Sequence, residues 1–325
     1  MKKERTFIQY LGITLRGMAV GAADVVPGVS GGTIAFISGI YEELINSISS
    51  INLTALKILR KEGVKAFWKH INGTFFVALL TGVAISILSL ANVVTFLLYK
   101  YPVTVWAFFF GLVLASIYIV VKQIDEWNIR TILVLFFGTA GAAYVATLHV
   151  TASGGDLWYV FLSGAIAICA MILPGISGAF ILILMGSYGT IMGGLKEFDL
   201  LLISVFATGC LVGILSFSHL LKYLFANFKN LLLAFLTGTL IGSLLKIWPW
   251  KNNFGDAPVV VHSDGREEWF QINVWPKDYV NIVDGVKTDP NVFYAILLAI
   301  VGFLVIYTLE KTGTLLKNKR NATKG

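Results

Sequence analysis

Two stretches decide the architecture: Val26-Pro-Gly-Val-Ser-Gly-Gly-Thr-Ile34 and Leu173-Pro-Gly-Ile-Ser-Gly-Ala-Phe-Ile181. Each joins a proline, which removes a backbone donor, to glycines that let the chain turn tightly. Each also sits inside a long apolar run, 7–45 and 158–194, that exceeds the roughly 20 residues of one membrane span. Both runs are therefore read as broken elements that return to the face they entered from.

Working outward, the two stretches correspond at an offset of 147: Pro27 with Pro174, Gly28 with Gly175, Ser30 with Ser177 and Gly31 with Gly178. Gly39 and Tyr41 continue the match to Gly186 and Tyr188. At an offset of 127, Thr81-Gly82 meets Thr208-Gly209, and Gly111 and Ser116 meet Gly238 and Ser243. The offset shortens because the first half carries an extra basic, amphipathic stretch near 51–70. Three apolar runs follow each broken element: 73–98, 103–121 and 129–150, then 199–220, 230–248 and 291–310. Three is odd, so the second half enters from the opposite face. The predicted fold is an all-α polytopic membrane protein of two inverted-topology repeats, 1–150 and 151–325. Each repeat is a re-entrant or broken helix element plus three transmembrane helices.

Composition agrees: 325 residues, 57% hydrophobic and 13% charged. That excludes an ordinary soluble globule, a disordered chain and a nucleic-acid binder. The net charge of +7 lies between the apolar runs. In the topology above, 17 of the 25 Lys and Arg fall on the N-terminal side of the membrane and seven on the other, with Arg16 inside it. The positive-inside bias thus puts both termini in the cytoplasm. Arg16 interrupts the first apolar run and no small-residue cleavage pattern follows, so the start is read as a mature N-terminus rather than a signal peptide. The cytoplasmic insert 46–72 sets Lys57, Arg60, Lys61, Lys65 and Lys69 among apolar residues, as in an interfacial helix drawn to anionic lipid. Short β-prone runs around Asp264-Gly265 in the external segment 249–290 predict a small β-hairpin-like loop. Trp248, Trp250 and Trp275 suit the outer interfacial belt, and Glu42 and Glu43 are expected to be solvated or paired with nearby Lys. Cys169 and Cys210 lie in apolar runs as reduced packing residues, His219 is expected to pack, and neither a metal cluster, a cofactor motif nor an enzyme motif is present in the sequence.

The breaks carry the chemistry. Amides of Val29 to Thr33 (Val29, Ser30, Gly31, Gly32, Thr33) would open a half-helix whose positive end suits an anion such as phosphate, with hydroxyls from Ser30 and Thr33. Gly175, Ile176, Ser177 and Gly178 repeat the arrangement. The alternative is a close helix crossing through small residues, as in Gly17-x-x-x-Gly21 and Gly28-x-x-x-Gly32. Arg16 and Asp24 stand in the first apolar run, where each would cost roughly 2.5–3.5 kcal/mol at a helix centre. On one unbroken helix they would lie about 12 Å apart in rise, so either they meet through the bend or each has another partner. Arg16 is read as a phosphate ligand or as a side chain snorkelling to the cytoplasmic interface, and Asp24 as its counter-charge or a protonation switch. The second half has Ser163 and Met171 at the matching positions.

Arg16-Gly17, Gly21-Ala-Ala-Asp-Val-Val-Pro-Gly-Val-Ser-Gly-Gly-Thr33, Ala35-Phe36 and Gly39-Ile-Tyr41, with Pro174-Gly-Ile-Ser-Gly178, closely resemble a bacterial membrane family. It was first catalogued as a domain of unknown function and then assigned as polyprenyl-phosphate (undecaprenyl-phosphate) transporters. The resemblance covers nearly the whole chain. It implies translocation of the lipid carrier undecaprenyl phosphate from the outer to the inner leaflet of the bacterial cytoplasmic membrane, for reuse in peptidoglycan and other envelope polymers. The head would be held by Arg16, Gly28 to Thr33 and Gly175 to Gly178, by alternating access, with Asp24 as coupling group. Undecaprenyl-pyrophosphate phosphatase also has inverted repeats and a Pro-Gly-x-Ser motif, but there Arg follows Ser, whereas Gly31 and Gly178 follow here and the paired-Glu motif is missing. A small-anion transporter or channel is the other physical alternative.

Overall fold

The computed structural model describes residues 5–24, 30–148, 156–254, 260–261, 267–280, 282–283, 286–287 and 289–322. Pro27, Gly28 and Val29 lie outside the described residues. The described residues are mostly helical: α1 (Phe7–Asp24), α2 (Gly31–Ile37), α3 (Tyr41–Ser49), α4 (Leu53–Glu62), α5 (Val64–His70), α6 (Gly73–Lys100) and α7 (Pro102–Val121). Then come α8 (Ile129–Thr147), α9 (Leu157–Ile172), α10 (Gly178–Leu184), α11 (Tyr188–Lys196), α12 (Leu200–Asn227), α13 (Lys229–Ser243) and α14 (Val292–Ala322). Between α13 and α14, β1 (Lys251–Phe254) pairs antiparallel with β4 (Phe270–Asn273), and β2 (Val260–Val261) with β3 (Glu267–Glu268). These pairs flank Asp264-Gly265, around which the sequence predicts a hairpin and which lies outside the described residues. A last two-residue pair, β5 (Ile282–Val283) and β6 (Val286–Lys287), follows a short 3₁₀ turn at Pro276–Asp278.

Both broken stretches fold the same way locally, as one long helix followed by two short ones. Gly39 (φ 73°) and Gly186 (φ 65°) take the left-handed conformation that ends α2 and α10. The backbone bonds around them repeat at the same offset. Ser38 N–H donates to Ile34 as Met185 does to Ile181, and Ile40 N–H donates to Ala35 as Ser187 does to Leu182. The second turn is sharp, bending α11 by 107° from α10. The insert is two helices rather than one. Asn52 caps α4 by accepting from the amides of Thr54 and Ala55, and Gly63 (φ 84°) breaks the chain before α5.

The chain forms two compact units, 1–94 with 151–232, and 95–150 with 233–325. In the first, α1 packs on α6 so closely that a Cβ on Gly17 would strike the carbonyl of Leu79, and one on Gly82 the carbonyl of Thr14. The α9–α12 crossing is the counterpart: Gly164 meets the Phe206 carbonyl and Gly209 the Phe161 carbonyl. Every partner is displaced by the same two offsets read from the sequence. Gly17-x-x-x-Gly21 is thus a close helix crossing, the form of association that small residues permit in lipid. Cys169 and Cys210 are free, each with its sulfur 3.5 Å from a carbonyl across the α9–α12 seam (Gly213 and Gly164).

In the second unit α7 packs along α14, with Gly111 on the Ala299 carbonyl and Gly302 on that of Phe108. Gly138 of α8 and Gly238 of α13 face the carbonyls of Phe235 and Leu135 in the same manner. α13 stops at Ser243, short of the expected 248. A turn follows, which brings Trp248 into a cluster with Phe110, Trp250 and Trp275, its indole N–H on the Val274 carbonyl. Outward faces carry large apolar side chains along α6, α8, α12 and α14. Among the described residues α7, α8 and α12 are each long and apolar enough to cross a membrane. Counting the bent pairs 64–70 with 73–89 and 178–184 with 188–196 makes five. α9 and Val292–Thr308 are shorter apolar helices.

At the edge of the first unit Arg5 grips Glu43 through both guanidinium branches (2.6 and 2.7 Å), and Asn72 donates to the same carboxylate (2.8 Å) and to Ser47 (3.1 Å). Glu43 therefore pairs with Arg5. The carboxylate raises the guanidinium above its ordinary value against partial burial. Because the pair is partly exposed, Arg5→Ala should cost no more than about 1 kcal/mol, read as a small loss in thermal midpoint in detergent. Gly82→Ala should cost about 1–3 kcal/mol by forcing α1 off α6. Gly12→Ala, with open space at its Cβ position, should leave the midpoint unchanged.

Candidate functional site

The tips of the two broken elements meet in the first unit. α2 begins at Gly31 and α9 ends at Ile172, and their ends pack so that a Cβ on Gly32 would lie 2.7 Å from the carbonyls of Met171 and Ile172. Only a glycine admits this approach. It sets the positive end of one short helix against the negative end of another helix. Two hydroxyls tie the contact. Ser30, buried, donates from Oγ toward the carbonyls of Met171 (3.3 Å) and Leu173 (3.4 Å). Thr33, also buried, accepts the Gly175 amide on Oγ1 at 2.8 Å. These bonds meet backbone groups that the breaks leave outside regular helix, which a low-dielectric setting requires.

Asp24, the last residue of α1, closes the first break. Its Oδ1 accepts the Gly31 amide at 2.7 Å, so a carboxylate occupies the place at the start of α2 where the sequence predicts a bound anion. A Cβ on Gly31 would fall within 2.6 Å of that carboxylate. In the second break Met171 stands where Asp24 does, and Gly178 packs on its Cβ and on the Ala167 carbonyl. Ser177 caps α10 only through a long 3.5 Å contact from the Phe180 amide. Gly175 (φ 87°) and Ile176 form the turn between.

Of the expected site residues, the structure brings together Asp24, Ser30, Gly31, Gly32, Thr33 and Gly175, with Ile176, Ser177 and Gly178 following directly. It does not bring Arg16 to Asp24. α1 runs unbroken between them, Arg16 is exposed, and Asp24 takes the Gly31 amide as its partner. Ser163, the counterpart of Arg16, is fully buried and shares a 2.8 Å hydroxyl pair with Ser187. His219 is exposed rather than packed, its Nδ1 2.7 Å from the Leu215 carbonyl. Sequence reasoning did not find the acceptors for Ser30, because carbonyls of α9 leave no side-chain signature. It also did not single out Ser86 or the hydroxyl of Tyr41. Among the described residues both are buried without a hydrogen-bond partner, and Ser86 abuts Gly21 one turn before Asp24. Tyr41 sits with its ring between Phe36 and Phe225.

A family model described as undecaprenyl phosphate translocase-like matches residues 20–259, which hold both breaks. A curated relative from Vibrio cholerae serotype O1 (strain ATCC 39315 / El Tor Inaba N16961), named polyprenyl-phosphate transporter, is 41% identical over 306 residues. The alignment covers 94% of this chain and 97% of the relative. A second with the same name, from Staphylococcus aureus (strain NCTC 8325 / PS 47), is 29% identical over 253 residues, 72% of this chain and 85% of the relative. No solved structure gives a significant match. With its two Pro-Gly-x-Ser-Gly breaks inside the matched region, the chain belongs to the undecaprenyl phosphate translocase-like family.

Proposed function

We propose that this chain moves undecaprenyl phosphate, or a related polyprenyl phosphate, from the outer to the inner leaflet of the bacterial cytoplasmic membrane, returning the carrier for envelope-polymer synthesis. The observation that carries the reading is the Asp24 carboxylate on the Gly31 amide, an anion of the protein's own at a helix start that would otherwise accept a phosphate. Incoming phosphate competes with Asp24 for that amide. Protonation or withdrawal of Asp24 frees the site, which makes Asp24 the coupling candidate. The relatives named polyprenyl-phosphate transporter, aligned along nearly the whole chain, support the substrate.

The architecture in this reading is a pair of inverted-topology repeats, 1–150 and 151–325, each a re-entrant element plus three spans. The repeated left-handed glycines and the repeated glycine-on-carbonyl crossings support it. Both termini and the insert 46–72 are cytoplasmic, and the hairpin segment 249–290 is external. Separation of Ser30 from the α9 carbonyls, and of Thr33 from Gly175, opens the head site to one face at a time, while the polyprenyl tail stays in lipid. Arg16, exposed on α1 two turns before Asp24, meets the phosphate on its way to the break. Ser30, Gly31, Gly32, Thr33 and Gly175 to Gly178 line the head's path, and Gly28 and Val29 lie outside the described residues. The protein acts as a transporter and not as an enzyme, and needs no cofactor or metal.

The test is a proteoliposome assay with labelled undecaprenyl phosphate run beside chloride and sulfate. Lipid movement should fall at least tenfold in Arg16→Ala and in Asp24→Asn, the latter keeping an acceptor for the Gly31 amide but no titratable charge. Gly32→Val should abolish movement by wedging the tips apart. Anion flux without lipid movement would overturn the reading in favour of a small-anion carrier, and phosphate release would make the protein a phosphatase.

A further inference from the structure

The second unit holds a cavity unrelated to the two breaks. It has a volume of about 410 Å³ and lies between the start of α7 and the β1–β4 hairpin, lined by Pro102, Trp106, Lys251, Asn253, Gln271 and Tyr279. Its volume falls in the range of pockets that hold small ligands. Lys251 forms part of the wall. Its ammonium hydrogen-bonds the Lys246 carbonyl and lies 3.7 Å from the centre of the Trp106 ring. Among the described residues no carboxylate is paired with it, since the ion pair found there is Arg5 with Glu43. An ammonium has three donors; one goes to the carbonyl and one to the indole face, which leaves one for the cavity.

That placement is unfavourable for a cation by itself. Removing a charge from water costs several kcal/mol in order of magnitude unless an opposite charge compensates. Burial, and the positive charge of Lys246 nearby, lower the Lys251 ammonium well below its ordinary value. The surroundings are nevertheless built to hold the side chain in place. The β1–β4 register sets Lys251 opposite Asn273, whose amide donates to the Leu245 carbonyl. Asn252 is fixed by donating to Asp278 and accepting from the Val280 amide. Trp250 bonds the Pro290 carbonyl beneath. This frame thus presents a cation without a described counter-ion to a cavity that is also lined by the amides of Asn253 and Gln271, its neighbours on the same hairpin, bonded to each other at 3.3 Å.

We propose that this cavity is a binding site for a phosphate monoester on a small hydroxylated group, with Lys251 supplying the counter-charge. The remaining Lys251 donor calls for an anionic oxygen such as that of a phosphate, the cavity exceeds a bare ion, and the amides of Asn253 and Gln271 suit hydroxyls. The same chemistry belongs to a free sugar or glycerol phosphate and to a lipid headgroup. The site is separate from the head path at the breaks and does not depend on it.

The experiment titrates the full chain in phosphatidylcholine nanodiscs with glycerol 3-phosphate, and in a second arm compares nanodiscs with and without phosphatidic acid. Lys251 is read out by amine-reactive labelling and mass spectrometry. One saturable site is expected, with Lys251 protected from labelling. Protection by glycerol 3-phosphate identifies a soluble ligand, and protection only by phosphatidic acid identifies a headgroup. Lys251→Met should weaken binding at least tenfold and Lys251→Arg much less. If Lys251→Met fails to fold, Gln271→Leu, on the exposed wall, should weaken binding at least threefold at an unchanged thermal midpoint. Labelling of Lys251 unaffected in both arms, or binding unchanged in a folded Lys251→Met, would overturn the proposal and leave Lys251 a structural brace for the Lys246 carbonyl.

Discussion

A backbone interrupted inside hydrocarbon must find its hydrogen bonds within the protein. In this chain that constraint governs the first unit. The first break is closed by Asp24 on the Gly31 amide, and the second by Thr33 on the Gly175 amide, with Ser30 reaching the α9 carbonyls. Glycine at position 32 follows from the same requirement, because the hydroxyls reach only if the two helix ends touch. The groups that keep the breaks stable are therefore the groups a ligand would have to displace. Stability and access to the site draw on one small set of bonds.

Much of this was legible in the sequence because the signals were local. Proline, glycine and serine at fixed offsets marked the breaks, Gly17-x-x-x-Gly21 marked a crossing that the structure contains, and Gly82 and Gly209 were legible as matched positions though not as its partners. The left-handed turns at Gly39 and Gly186 were legible as matched glycines, though not as matched conformations. What could not be read was the partner of each polar group. Arg16 and Asp24 are both charges in one apolar run, and one-dimensional spacing offers no reason to separate them. Folding separates them, since α1 stays straight and the amide of Gly31 is nearer to Asp24 than any guanidinium is.

The helix ends were the least legible part. The run 230–248 is apolar apart from Asn230, Lys246 and a few Thr and Ser, yet α13 stops at Ser243, because Trp248 gains an indole hydrogen bond and three aromatic neighbours only if the chain turns first. Similarly, the basic insert reads as one amphipathic stretch until Gly63 divides it. In both cases a tertiary contact or a single backbone angle overrode a continuous hydrophobic pattern.

The pairing of α7 with α14 has a consequence for synthesis. α7 leaves the ribosome before α8 to α13, while the helix whose Ala299 carbonyl fits against Gly111 is made only after all of them. Until then the glycine seam of α7 has no native cover, and contacts so distant in sequence are slow to close. Throughout translation the second unit is therefore an unfinished assembly. Insertion machinery or neighbouring lipid has to shelter that seam until α14 arrives, and a truncated chain lacking α14 would leave it permanently open.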